Sequence, residues 1–158
     1  MSKISSIILV AILGIIVGFL VYFFYPSPGV DNRVNIYFSN NLDDPESFNC
    51  GEVYPVKRII QDEQNIPFMT VSELLNGPSE GEIKDGFFTN INPGVEINKL
   101  VFEEGVVIVD LSSELTDSIG GSCLIMGIEA QITETLLQFE EVDGVTILIE
   151  GEEEVLQP

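Results

Sequence analysis

The sequence predicts an α+β domain. A mixed or antiparallel sheet carries two helices on one face, in the order β-β-α-β-β-α-β, preceded by one transmembrane helix. Three observations predict it. Residues 4–25 are uncharged and almost wholly apolar. Beyond them come short alternating or β-branched runs, separated by Gly, Pro and Asn turns. Two further runs carry apolar residues at three- and four-residue steps, the mark of a helix with one buried face. The plan is a cytoplasmic N-terminus (1–3), a transmembrane signal anchor (4–25), a tether (26–33), a folded domain (34–151) and an acidic tail (152–158).

At 1.5 Å per residue, residues 4–25 would span about 33 Å, enough to cross a hydrocarbon core. Tyr22, Phe23, Phe24 and Tyr25 cluster at one end, as an interfacial aromatic belt would. A signal peptide would need a small-x-small cleavage site and a lipoprotein a following Cys, and neither occurs there. Lys3 before the segment favours an inside N-terminus and an outside domain. The expected setting is therefore a bacterial cell membrane, crossed once through the lipid bilayer. Ala11, Gly14 and Gly18 have the small-residue spacing that lets two such helices approach, a route to self-association.

The elements then follow in order. Residues 34–38 alternate and read as the first strand. Residues 39–51 form a polar loop. Residues 53–60 read as a second strand, with Pro55 pointing to an edge or bulge. Pro67, Phe68, Val71, Leu74 and Leu75 make a short amphipathic helix, stopped by Asn76, Gly77 and Pro78. Residues 79–85 read as a charged loop, and Phe87 and Phe88 as a brief strand pairing. Residues 96–102 and 106–111 form a hairpin joined by Glu103, Glu104 and Gly105. Ser122 sits where a helix N-cap belongs. Ile125, Ile128, Ile132, Leu136 and Phe139 then define one apolar stripe, with Gln131 and Gln138 off it. Asp143 and Gly144 turn the chain into residues 145–149, a short uncharged run suited to an interior strand.

Composition bounds the function. Six Lys and Arg against 26 Asp and Glu give a net charge of -20, which repels a nucleic-acid backbone. There is no His, which removes the commonest general base and metal ligand. Cys50 and Cys123 form no CxxC pair. Outside the cytoplasm they are a candidate disulfide, with two buried free thiols as the alternative. A Cα separation above about 7 Å would exclude the bond. Asp43, Asp44 and Glu46 lack calcium-loop spacing and read as solvated loop acids. Asp110 ends a core strand, where a carboxylate either acts with a partner such as Glu114 or caps a following turn with Ser112 and Ser113, the stronger reading. Lys57 and Arg58, the only adjacent basic pair, either pair with nearby carboxylates or meet an acidic partner.

The chain also resembles the GerMN domain family of sporulation and spore germination proteins. The resemblance rests on Val34-Asn35-Ile36-Tyr37-Phe38, then Arg58, then Glu73-Leu74-Leu75-Asn76-Gly77-Pro78. It continues through Val106, Val109-Asp110-Leu111-Ser112, Gln131-Ile132, Thr135-Leu136 and Phe139, to Val142, Val145, Ile147, Ile149 and Gly151. These pieces occur in the family's order over residues 34–151. The resemblance implies a non-enzymatic extracytoplasmic module of the bacterial envelope. Such proteins are linked to assembly of a channel complex between mother cell and forespore, and their domains are similar to ring-building modules of secretion systems. This chain has one copy where the family's namesake has two, an apparent helical anchor in place of a lipidated Cys, and two Cys within the domain.

The expected function is thus a membrane-anchored, non-catalytic interaction or assembly module, self-associating or part of a multiprotein complex, with no cofactor. Two alternatives remain. One is an enzyme acting on envelope glycan through Asp110 and Glu114, which needs two carboxyl groups facing across a cleft. The other is an acidic cation-binding domain.

Overall fold

A computed structural model describes residues 12–17, 19–20, 32–45, 49–61, 65–117 and 120–152. The chain divides into two compact units, Met1–Asp31 and Asn32–Pro158. In the first, residues 12–17 and 19–20 are helical. Among the described residues, no helix is long and apolar enough to cross a membrane. The expected fold class is corrected on this point. A helical run covering residues 12–17 rises only about 9 Å, against a hydrocarbon core of about 30 Å. The rest of the 4–25 segment, with Ala11 and Gly18, lies outside the described residues. Gly14 is helical, and a Cβ added there would meet nothing within 4 Å.

The second unit is α+β, with two sheets in place of the single sheet expected. Strands β1 (Arg33–Asn40), β2 (Tyr54–Ile59) and β3 (Phe87–Phe88) form the first, in the order β2-β1-β3. Both pairings are antiparallel. Strands β4 (Ile97–Glu103), β5 (Val106–Leu111) and β6 (Gly144–Ile149) form the second, in the order β4-β5-β6. There β4 runs antiparallel to β5, and β6 runs parallel to it. Among the described residues three α-helices accompany them: α1 (Ile66–Leu75), α2 (Glu80–Lys84) and α3 (Ser122–Leu137), with a 3-10 turn at Ser113–Thr116. The parallel β5–β6 pair requires a crossover, which the 3-10 turn and α3 supply.

One core joins both sheets. Val34, Ile36 and Phe38 of β1, Val107, Val109 and Leu111 of β5, and Val71 and Leu74 of α1 are buried in a single cluster. The α3 stripe enters it through Ile125, Ile128, Ile132 and Leu136. Helix α3 packs on β1, α1 and β6, and so ties the two sheets together.

Local chemistry accounts for the element ends. Pro67 lies in the first turn of α1, and Gly77 beyond its end has φ 75°. Helix α2 occupies the expected charged loop. Ser79 caps it and Glu82 reaches back to the Ser79 amide, a reciprocal capping box. Gly121, not Ser122, is the N-cap of α3, and no side chain caps it. The β4–β5 turn contains two residues rather than three, because Glu103 pairs with Val106. Glu104 and Gly105 have φ 49° and 86°, the twist that a two-residue hairpin favours.

Candidate functional site

The cysteines lie beside a network of buried and part-buried polar side chains. Cys50, in the loop after β1, is bonded to Cys123 in the first turn of α3, with their Cα atoms 4.8 Å apart. This separation meets the geometric condition for the pairing. A cavity of about 210 Å³ lies beside the disulfide, with Ser39, Asn40, Asn90 and Glu52 in its walls.

The polar groups here are engaged with one another. Gln131, fully buried on α3, donates from Nε2 to Ser39 Oγ at 3.2 Å. Its Oε1 accepts from Thr89 Oγ1 at 3.0 Å. Asn90 Nδ2 donates to the same Ser39 hydroxyl at 2.8 Å. Asn40 Oδ1 accepts from the Leu42 amide at 2.8 Å, and Asn40 Nδ2 donates to the Asp85 carbonyl at 3.2 Å. Asn49 Nδ2 donates to Glu52 Oε2 at 2.8 Å. Gly127 makes the close approach possible. A Cβ there would overlap Asn90 Nδ2 and lie 3.3 Å from the Cys50 carbonyl oxygen. The region is built to fix a loop to a helix.

The same helix completes the first sheet. On the edge of β1 away from β2, the Asn35 amide donates to Gln138 Oε1 and the Asn35 carbonyl accepts from Gln138 Nε2, each at 2.7 Å. The Tyr37 amide donates to Thr135 Oγ1 at 3.1 Å. Thr135 of α3 and its C-cap residue Gln138 thus act as a substitute strand until β3 takes over at Ser39 and Asn40. Gln131, Thr135 and Gln138 lie at positions i, i+4 and i+7, one face of the helix. Hydrophobic spacing alone misses this stripe, since it is polar. The signal would have been uncharged hydrogen-bonding residues at helical spacing beside an apolar stripe.

The other candidate residues divide clearly. Arg58 grips Glu82 in a two-pronged ion pair, with Nη2 to Oε2 at 2.6 Å and a second bond from Nη1 to Oε1. Its Nε lies 3.7 Å from Glu73. The Glu82 hydrogen bonds raise the Arg58 pKa further. In return, Arg58 lowers the Glu82 carboxyl to about 2, against the opposing cost of burial. Lys57, its neighbour, is exposed. Asp110 Oδ1 accepts from the Gly151 amide at 2.8 Å, so it caps the turn after β6 rather than its own following turn. The Ser113 amide is instead capped by Glu150 at 3.0 Å. Hydrogen bonding from Ser112 holds the Glu114 carboxyl below its ordinary range. A general acid needs the opposite shift.

Comparison with known proteins decides the family. Residues 35–155 match the model of the Germane family, described as sporulation and spore germination. The chain belongs to this family. The Germane fold is also evident in solved structures. The first GerMN domain of the sporulation protein GerM from Bacillus subtilis is similar, with TM-score 0.59 and 20% identity, covering 76% of this chain and 84% of that one. The tandem GerMN domains of the same protein give TM-score 0.58 and 22% identity over 82% of this chain and 44% of that one. This chain thus spans under half of the tandem protein. A comparison with curated protein sequences finds no match.

Proposed function

We propose that this Germane protein is a non-catalytic interaction module that acts outside the cytoplasm in sporulation or germination. Membership of the family supplies the process. The observation that carries the rest is the commitment of its polar groups to the fold. The buried Gln131 network, the Thr135 and Gln138 caps and the Asp110 carboxylate each complete backbone or loop structure. The Cys50–Cys123 disulfide supports an oxidising compartment.

The test is complementation of a strain lacking the gene. Glu114→Gln removes one of the two carboxylates that a glycan-acting mechanism would use, without touching the core. The module reading predicts unchanged spore yield and germination. Loss of either, with an unchanged melting temperature, would overturn it.

A further inference from the structure

The second sheet buries one face and leaves the other open. Strand register defines the open side. Val101 lies opposite Ile108, and Ile108 opposite Thr146. Glu103 lies opposite Val106, and Leu148 lies beside Asp110. Val101, Val106, Ile108, Thr146 and Leu148 are all part-exposed, whereas Val107, Val109 and Leu111 on the reverse of β5 are buried. A largely apolar strip therefore faces outward on a sheet whose opposite face already contributes to the core, and the exposed Lys99, opposite Asp110, bounds it at the end away from the hairpin. At the hairpin end it becomes a groove. Val106, Ile108, Glu103 and Glu104 line it together, two apolar side chains beside two carboxylates. Both glutamates are exposed.

We propose that this face docks a basic segment of a partner protein, with a Lys or Arg side chain of that segment seated in the groove. This deepens the interaction-module reading and rests on it. The chemistry of the groove selects the occupant. A Lys or Arg carries an aliphatic stem that can lie over Val106 and Ile108 while its charged head reaches Glu103 and Glu104. Apolar residues between the basic ones would cover Val101 and Leu148. A second copy of the chain is the wrong partner, because each copy carries a net charge of -20. Cationic partners are attracted by the same field, with salt-sensitive strength.

The test uses the full chain and an end-blocked octapeptide of alternating Lys and Val, with alternating Glu and Val as control. Amide shifts by NMR locate binding, and titration gives its strength. The Lys peptide should perturb Val101, Ile108, Thr146 and Leu148, and the Glu peptide should not bind. Glu103→Gln with Glu104→Gln should weaken binding about tenfold. Glu140→Gln with Glu141→Gln removes equal charge elsewhere and should change it by less than about twofold. Equal weakening by the two double variants would mean diffuse attraction to an acidic protein, and would overturn the proposal. So would perturbation confined to another face, or no binding. In those cases the module reading stands if the chain still occurs in a larger assembly in cells. A chain that is monomeric in cells removes the module reading itself.

Discussion

Arg58 shows how a residue suggestive of partner binding is consumed by the fold. Its guanidinium holds Glu82 of α2 against β2, and Glu82 also completes the α2 capping box. The carboxyl is lowered from 4.5 to about 2 by Arg58 first and Ser79 second. A depressed carboxyl pKa adds stability that is present above the unfolded value and is lost as pH falls through the folded one. Wild type should therefore exceed Glu82→Gln in stability above about pH 4.5, with the gap closing between about pH 4.5 and 2. Chemical denaturation across that range checks it, and a pH-independent gap would contradict it. At Gly127 the argument is steric. An added methyl must displace Asn90 from Ser39 or move the Cys50 loop. Gly127→Ala should cost about 1–3 kcal/mol, measured by the same method.

At the scale of elements, α3 is both a core helix and the missing neighbour of β1. Removing its hydrogen-bonding side chains should expose that second role. Thr135→Val keeps the volume but leaves the Tyr37 amide without its acceptor, at a cost of about 1–3 kcal/mol. Native-state hydrogen exchange should then speed at Tyr37 more than at Val34 or Ile36, and uniform acceleration would contradict the assignment. Much at this scale was legible in the sequence. The apolar stripe of α3, the Asn76-Gly77-Pro78 stop and the alternation in β1 report burial and turn chemistry directly, whereas β4 does not alternate, its register shifting between Ile97 and Lys99. The division into two sheets was not legible, because strand periodicity gives faces and not neighbours. Residues 79–85 read as a loop in the sequence although Ser79 and Glu82 carry a capping signature, since the short run of charged residues in α2 hides helical periodicity. Asp110 reads as a local cap in the sequence because its true partner, Gly151, is 41 residues away.

For the whole molecule, the disulfide is the long-range constraint. It joins residues 73 apart and fixes the loop after β1 to the start of α3. Replacing both cysteines by serine should cost about 4 kcal/mol in the chain-entropy account. A loss below about 1 kcal/mol, by denaturant titration, would mean that the Gln131 network holds this corner unaided. Charge and apolar surface set the outward role. The net charge of -20 favours a cationic partner, and the open face of the second sheet gives a basic segment a place to bind. The central claim is that this Germane protein works by binding. The most direct measurement is the native size of the chain in gentle extracts of sporulating and germinating cells. The account predicts an assembly larger than the 17.4 kDa chain, lost in the Glu103→Gln, Glu104→Gln double variant. A wild-type chain that sediments as a monomer at every stage would contradict it.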